Sequence, residues 1–429
     1  MAESNYAQDG SGASAFLGRH DMDIDAIATL PCDMNALPSL LQDIATQGKD
    51  LTDNNSQSRQ QLLKSARALV RALETPKETI IRLCWAEPNL YSSIYTAISL
   101  GLFPLLSRDG DSPKTVSQLG AWSGADPVLL SRILRHLAAM GTIQETGLDE
   151  YQHTNLSRSL ATDKYGSGFS WIAQGVIPTI YHLPKYLKEN GFQNPTDPKD
   201  GPFQHAFGTS LHWFAWAARN PQLMTDFNHH MGAYHQGRPS WMDADFFPVA
   251  QGLVKGMKHD ADSVLLVDIG GGKGHDLEEF RRKHPTAPGG LILQELPVVI
   301  DEIQGSIAPT FTPMVYDFFT EQPIKGARAY FLHSILHNWS DDSCRKILAR
   351  VTAAMEPGYS KLLVNEIVIA NTGADWQETA LDLMMMNMLS SQERNEAEWK
   401  QLFQSAGLKV VKIWSHEQGV ESLIECELA

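Results

Sequence analysis

A glycine-rich segment carries the strongest chemical signal in the sequence. Asp268 lies near the end of a predicted strand at 264–269, and Gly270, Gly272 and Gly274 follow it where a helix is predicted to begin. Glycines permit a tight turn and let the backbone approach a ligand closely. The spacing Asp-x-Gly-x-Gly-x-Gly is neither the dinucleotide fingerprint nor the Walker phosphate loop. Taken alone, the segment is also compatible with a purely structural turn.

Acidic residues at the ends of the next two predicted strands narrow the choice of ligand. Glu295 follows Asp268 by 27 residues and ends the second strand, where a carboxylate can accept hydrogen bonds from a ribose diol. Asp317 and Phe318 end the third strand and can offer a carboxylate and an aromatic face to a purine. Together with the glycines, these residues predict a nucleoside cofactor.

Two histidines, His333 and His337, follow the fourth predicted strand with the i, i+4 spacing that can place two metal ligands on one helix face. A metal is not favoured, because no Glu follows His333 as the His-Glu-x-x-His pattern requires. The segment also begins as a strand rather than a helix. We therefore predict no metal site.

The elements that position these residues alternate between strand and helix from Ser263 onward, which predicts a doubly wound, Rossmann-like α/β domain with its ligand at the carboxyl ends of the strands. The predicted strands are 264–269, 291–294, 312–316, 329–332, 361–369, 408–414 and 421–427. The predicted helices are 275–283, 296–302, 340–354, 375–389 and 395–406.

The region before this domain predicts a mostly helical winged-helix fold. Two short helices at 115–122 and 126–140 precede two short strands at 142–145 and 150–153. Asp126 followed by Pro127 is a typical helix start. Winged helices often bind DNA, but 35 Lys and Arg against 50 Asp and Glu give a net charge of −15. Such a charge disfavours nucleic-acid and anionic-membrane partners and favours a dimerisation role.

The predicted organisation has four parts: a flexible tail and docking segment (1–54), a winged-helix dimerisation domain (55–167), a helical connector (168–247) and a cofactor domain (248–429). The connector is rich in aromatic and histidine residues. Most of them are expected in its core, and some are expected to line a pocket for a flat aromatic or polyketide-like substrate. The sequence does not distinguish the two groups.

Composition limits the cellular setting. The four cysteines are scattered with no Cys-x-x-Cys pair, no stretch approaches the ~18 consecutive apolar residues of a membrane span, and no secretory signal is visible. We therefore expect a cytoplasmic enzyme without disulfides.

The order of these features resembles the class I S-adenosylmethionine-dependent O-methyltransferases, and within them the caffeate-type plant and fungal enzymes of secondary metabolism. The resemblance covers roughly residues 55–429, and its most specific part is Phe331–Asp342, which matches a family segment ending His-Asp-Trp-Ser-Asp. It implies a homodimer, S-adenosylmethionine as cofactor and a hydroxylated aromatic or polyketide-type substrate. It implies a general base at His337, supported by Glu366 and Glu393. The implied cofactor-binding residues are Asp268, Gly270, Gly272, Glu295, Asp317, Phe318 and His333.

Three residues depart from the family pattern. Asn338 stands where an Asp is usual beside the base, Glu295 replaces an Asp, and His333 replaces a Lys that often contacts the cofactor. None of these changes removes the predicted acid–base set, although His333 can alter cofactor affinity.

Other functions remain open at this point. Some fungal relatives of this fold catalyse pericyclic reactions or dehydrations, with S-adenosylmethionine bound but its methyl group retained. Those relatives can carry Arg or Lys in place of the base, so the retained His337 favours methyl transfer. The acidic charge and the intact His337, Glu366 and Glu393 disfavour a non-catalytic regulator that uses the winged helix.

The unperturbed pKa values of a phenol (~10) and a histidine (~6.5) differ by about 3.5, or roughly 5 kcal/mol for full proton transfer. Proton removal during attack on the sulfonium methyl is therefore expected rather than prior ionisation.

Overall fold

The computed structural model describes residues 24–51, 56–234, 237–260, 262–303, 310–416 and 419–429. The chain divides into two units between Ala161 and Thr162. The first 23 residues of the predicted flexible tail and docking segment lie outside the described residues. Residues 24–51 belong to the predicted tail and docking segment. They include a short 3₁₀ turn at Met34–Ala36 followed by a helix at Leu37–Lys49.

The first unit is mostly helical. Its helices are α1 (Ile24–Thr29), α2 (Leu37–Lys49), α3 (Ser56–Leu73), α4 (Pro76–Ile81), α5 (Glu87–Ser99), α6 (Leu102–Leu106), α7 (Val116–Ser123), α8 (Pro127–Ala139) and α9 (Asn155–Leu160). Its strands are β1 (Lys114–Thr115), β2 (Ile143–Gly147) and β3 (Glu150–His153), which form an antiparallel sheet in the order β1-β3-β2.

The succession of helix α7, a turn, helix α8 and the β2–β3 hairpin confirms the predicted winged-helix fold. Asp126 begins α8 as expected, since its Oδ1 accepts a hydrogen bond from the backbone N–H of Leu129 at 2.9 Å. Leu130, Leu134 and Leu137 share one face of α8 and are completely or almost completely buried, so their spacing builds the core of this unit.

The second unit begins with helices and ends with a mixed sheet. Its helices are α10 (Asp163–Gly175), α11 (Ile177–Glu189), α12 (Pro202–Phe207), α13 (Trp213–Ala217), α14 (Pro221–Tyr234), α15 (His275–Lys283), α16 (Pro297–Ile303), α17 (Asp341–Thr352), α18 (Trp376–Leu389) and α19 (Glu396–Ser405). Its strands are β4 (Val264–Ile269), β5 (Gly290–Glu295), β6 (Thr312–Val315), β7 (Ala329–His333), β8 (Lys361–Glu366), β9 (Leu408–Trp414) and β10 (Ser422–Leu428).

The seven strands are ordered β6-β5-β4-β7-β8-β10-β9 and confirm the predicted Rossmann-like architecture. Strands β4 to β8 run parallel, whereas β10 is antiparallel to both β8 and β9. Leu265, Leu266 and Val267 are all fully buried, as expected for a strand covered on both faces. The strand predicted at 361–369 is shorter than expected, because the chain leaves the sheet after Glu366 and Val368 bridges to Arg394 instead.

Many aromatic residues of the predicted connector pack into a core. Trp171 and Trp213 are buried with their ring centroids 6.0 Å apart, and Phe203 joins the same cluster with Met385 and Met388 of α18. All four cysteines are free. Among the described residues, no helix has the length and apolar character needed to cross a membrane.

Candidate active site

The glycine segment after β4 forms a turn that only glycines fit well. Gly270, Gly272 and Gly274 have positive φ values of 75°, 58° and 83°. A Cβ atom on Gly271 would lie 2.1 Å from Oδ2 of Asp268, so that position also excludes a side chain. A Cβ atom on Gly272 would meet nothing within 4 Å, which leaves open space above the loop for a ligand.

Asp268 lies beneath this turn and is completely buried. Neither of its carboxylate oxygens has a hydrogen-bond partner among the described residues. Burial raises the pKa of Asp268 well above its ordinary value, and the nearby charges of Asp276 and Glu295 raise it further. An unsatisfied buried carboxyl is costly, which makes this position a candidate for ligand binding rather than for packing alone.

The structure brings Glu295 to the same turn, as the sequence predicted. Its Oε1 accepts a hydrogen bond from the backbone N–H of Gly272 at 3.0 Å, and its Oε2 accepts one from Leu296 at 2.7 Å. Burial raises the pKa of Glu295, while these two hydrogen bonds lower it. The carboxylate therefore stands at the ends of β4 and β5, where a ribose can reach its remaining lone pairs.

Asp317 and Phe318 lie just beyond β6, at the next strand end. Asp317 is exposed, and its Oδ1 accepts a hydrogen bond from the backbone N–H of Phe319 at 2.9 Å. Phe318 lies edge-on to Phe319 at 5.0 Å and to Trp339 at 5.9 Å. The cluster offers an aromatic surface with a carboxylate beside it, which suits a purine.

His333 ends β7 and pairs with an acidic residue on α15. Its Nδ1 lies 2.7 Å from Oδ2 of Asp276 on α15. Burial alone would lower the pKa of His333, but the charge and hydrogen bond of Asp276 outweigh it and raise the pKa to about 9. At neutral pH the position therefore carries an imidazolium paired with a carboxylate.

A strained turn carries His337 away from β7. Ser334 has a left-handed φ of 52°, and its backbone N–H donates to the carbonyl of Asn365 at 3.1 Å. A 3₁₀ turn at Leu336–Asn338 follows. The Asn338 amide donates to the Ser334 carbonyl at 2.8 Å, a hydrogen bond that an ionised Asp cannot make. This contact stabilises the turn that carries His337.

His337, Glu366 and Glu393 meet in one buried cluster. Nδ1 of His337 lies 2.7 Å from Oε1 of Glu393 and 3.7 Å from Oε2 of Glu366. The other Glu366 oxygen accepts the backbone N–H of Leu336 at 2.7 Å and so anchors the turn itself. All three residues of the cluster are less than a tenth exposed.

The two carboxylates set the proton affinity of the imidazole. Burial alone would lower the pKa of His337, but the charges of Glu366 and Glu393 and the Glu393 hydrogen bond raise it to about 9. Burial also raises the pKa of Glu366, and the charge of His337 partly offsets that effect. With Nδ1 facing the carboxylates, Nε2 is the nitrogen that can exchange a proton with a ligand.

Distances alone would also let these three side chains hold a metal ion, because one ligand atom from each lies within 4.8 Å of the others. The expectation of no metal stays a prediction. His333 is paired with Asp276 rather than with this cluster, so the structure does not join the two histidines in one ligand set.

Sequence reasoning missed Arg394, which supports the His337 turn. The side chain is 1% exposed and donates to the carbonyls of Leu336 at 3.2 Å and Trp339 at 3.0 Å. It also donates to Oδ1 of Asp341 at 2.8 Å. In the sequence, only its position next to Glu393 could have drawn attention to Arg394. That position does not show which backbone carbonyls the side chain contacts.

Comparison with known proteins places this geometry in a family. An O-methyltransferase domain model matches residues 185–409, just over half of the chain, and an O-methyltransferase dimerisation domain model matches residues 90–163. O-methyltransferase mpaG of Penicillium brevicompactum is 36% identical over 392 residues, which cover 91% of this chain and 98% of that protein.

This chain is a member of the O-methyltransferase family. The predicted resemblance is thereby confirmed. Two solved structures are similar to this O-methyltransferase with a TM-score of 0.83 and 29% identity over 92% of the chain. One is described as a pericyclic reaction enzyme, and the match covers 100% of its chain. The other is LepI in complex with S-adenosylmethionine, and the match covers 99% of its chain.

Proposed function

We propose that this O-methyltransferase transfers the methyl group of S-adenosylmethionine to a hydroxyl group of an aromatic or polyketide-type secondary metabolite, with His337 as general base. The observation that carries the proposal is the buried contact of 2.7 Å between Nδ1 of His337 and Glu393, at the end of the sheet that also carries the glycine turn. A histidine held in this way by a carboxylate is suited to removing a proton from a bound hydroxyl group.

The residues at the glycine turn fit the cofactor of the family, S-adenosylmethionine, with which LepI was also solved. The open space above Gly272 and the unpartnered carboxyl of Asp268 support binding there. Glu295 would hold the ribose, and Asp317 and Phe318 would hold the adenine. When bound, S-adenosylmethionine supplies a methyl group already activated by a sulfonium.

The raised pKa of His337 changes the energetics expected from the sequence. A phenol near pKa ~10 and an imidazole with a pKa of about 9 differ by only one unit, or about 1.4 kcal/mol, instead of roughly 5 kcal/mol. Neutral His337 donates from Nδ1 to Glu393 and accepts the hydroxyl proton at Nε2. The two carboxylates then stabilise the imidazolium that forms. Proton transfer costs little, but the base must first be neutral.

A pericyclase or dehydratase that binds S-adenosylmethionine without methyl transfer is the second candidate. The similarity to a pericyclic reaction enzyme favours it. With a pKa of about 9, His337 is protonated at neutral pH and can donate a hydrogen bond that polarises a substrate carbonyl.

One experiment separates the two functions. Purified enzyme is incubated with S-adenosylmethionine radiolabelled in its methyl group and a panel of phenols and pyridones. Labelled product formed together with an equal amount of S-adenosylhomocysteine is expected. Product formation without consumption of S-adenosylmethionine would exclude methyl transfer and support the pericyclase. The His337→Ala variant should lose methyl transfer, whereas His259→Ala, which changes an exposed histidine, should keep it.

The proposed assembly is a cytoplasmic homodimer formed through the N-terminal unit, with no nucleic-acid or membrane partner. The matching dimerisation domain supports it. Ile80, Leu83 and Trp85 add to this support, because these large apolar side chains are 60%, 51% and 66% exposed around a π-helical turn at Arg82–Ala86.

A further inference from the structure

His212 is a partly buried histidine that has no role in the mechanism above. It immediately precedes α13, and its Nε2 is buried without a hydrogen-bond partner among the described residues. Burial lowers the pKa of His212 to about 4, so its imidazole is uncharged at neutral pH. A buried polar atom without a partner is costly, which makes this nitrogen a candidate for binding a ligand.

Aromatic rings fix the orientation of this imidazole. The ring stacks on the indole of Trp339, with centroids 4.9 Å apart and an angle of 13° between the planes. The ring of Phe214 also lies nearly parallel to it, at 5.7 Å and 16°. Stacking uses the faces of the imidazole, whereas its two nitrogens form hydrogen bonds in the plane of the ring. The stack therefore leaves Nε2 available at the ring edge.

The stacking partner of His212 belongs to the segment that carries the proposed base. Trp339 follows the 3₁₀ turn at Leu336–Asn338 and lies two residues after His337. Arg394 donates to the carbonyl of Trp339 at 3.0 Å and to a carbonyl within the turn at 3.2 Å. Because one guanidinium fixes both backbone groups, the surface on which His212 stacks is held in place relative to His337.

The residues around His212 on the connector side are apolar. Phe214 lies edge-on to Trp213 at 5.1 Å and to Phe227 at 6.1 Å, and the same cluster includes Met385 of α18. Aromatic and thioether side chains suit a flat aromatic ligand but do not fix its orientation. In pockets of this kind, a few placed polar groups provide the orientation, and Nε2 of His212 is such a group.

The proposed reaction requires a second polar contact with the acceptor. His337 contacts only the hydroxyl group that is methylated, and a single contact leaves a flat ring able to turn about that point. Methyl transfer needs the acceptor oxygen in line with the methyl group and the sulfur. A second fixed hydrogen bond would select one orientation of the ring and therefore one hydroxyl group.

We propose that His212 binds a second oxygen of the acceptor, a hydroxyl or carbonyl group on the same ring system, and so determines which hydroxyl group reaches His337. A neutral imidazole has one N–H donor and one acceptor nitrogen, so it can pair with either group. The proposal rests on the proposed function, because it requires an acceptor in this site.

Methyl transfer to naphthols tests the proposal. 1-Naphthol and 2-naphthol carry one hydroxyl group, and the dihydroxynaphthalenes carry a second one at different ring positions. His212→Phe keeps a ring that can stack on Trp339 and removes both nitrogens, whereas His212→Gln keeps a polar group near the position of Nε2. The matched control is His416→Phe, which changes another stacked histidine, 5.9 Å from the Phe246 ring and with a side chain that is 39% exposed.

The wild type should methylate at least one dihydroxynaphthalene with a kcat/KM roughly tenfold above that for the naphthols, as for a hydrogen bond to a buried group that is otherwise unsatisfied. His212→Phe should lose this preference, His212→Gln should restore part of it, and His416→Phe should keep it. The affinity for S-adenosylhomocysteine, measured by calorimetry, should be the same in all four proteins.

Three results would contradict the proposal. A wild type without the preference, or a His212→Phe variant that retains it, would overturn the role of His212 and leave the proposed function intact. Weaker binding of S-adenosylhomocysteine by His212→Phe would also overturn it, because His212 would then belong to the cofactor site. A wild type that methylates none of these naphthols and no member of the panel of phenols and pyridones would overturn both proposals.

Discussion

The proton affinity of His337 gives the sharpest test of the proposed site. Because Glu366 and Glu393 raise its pKa to about 9, only about 1% of molecules carry a neutral imidazole at pH 7. Methyl transfer that needs this neutral base should therefore rise about tenfold between pH 7 and pH 8 and level off above about pH 9.

Replacing Glu393 by Gln removes one of the two charges while keeping an amide oxygen that can accept from Nδ1. Removing a negative charge within 4 Å of the imidazolium should lower the pKa of His337 by roughly 1–3 units. The rise of methyl transfer with pH should therefore move to lower pH by the same amount. Glu396→Gln is the control, because it removes an exposed carboxylate paired with Lys400. It should leave this rise in place.

Two measurements check this shift. Profiles of kcat/KM against pH show the rise in activity as His337 loses its proton, but an acceptor phenol titrates in the same pH range. NMR titration of ¹³C-labelled histidine in the enzyme without acceptor avoids that overlap, and His337→Ala identifies the resonance. A wild-type pKa below about 7.5, or the same pKa in the wild type and Glu393→Gln, would refute the electrostatic reasoning.

Three further changes probe the turn, the glycine loop and the assembly. Arg394→Met should lower the free energy of unfolding by about 2–4 kcal/mol in urea titrations and reduce kcat, because it removes buried hydrogen bonds from the turn that carries His337. An unchanged free energy of unfolding would show that Arg394 does not stabilise this turn. Gly271→Ala should weaken S-adenosylhomocysteine binding by roughly tenfold or more in calorimetry, because the new Cβ would overlap Asp268. The control Gly232→Ala, in an exposed helix, should leave the affinity unchanged. Equal affinities in both variants would count against the glycine turn as the cofactor site. Trp85→Asp should sediment as a monomer and still bind S-adenosylhomocysteine; a dimer of unchanged stability would rule out this surface as the interface.

Features set by neighbouring residues followed well from the sequence. The strand at 264–269 is observed with the predicted bounds, and the glycines after it adopt the positive φ values that the turn needs. The helix start at Asp126 is also observed as predicted. Short-range sterics and local hydrogen bonds govern these features, and both are readable from a few consecutive residues.

Contacts between residues that are far apart in the chain could not be predicted from a few consecutive residues. Glu393 is 56 residues from His337 in the chain, and Glu421 is 183 residues from Arg238, with which it forms an ion pair. The resemblance to a family suggested the first pair and gave no indication of the second. Sheet register and side-chain packing decide both, because they bring strand ends and helix turns from separate segments to one edge.

The sequence by itself determined the architecture, the cofactor class and the residue types available for proton transfer. The tertiary structure alone decided their protonation. The pKa of an isolated histidine lies near 6.5. In the structure the charges of two carboxylates outweigh the effect of burial and raise the pKa of His337 to about 9. Burial and the positions of charged neighbours in space set this value, and neither is a property of residue type or spacing.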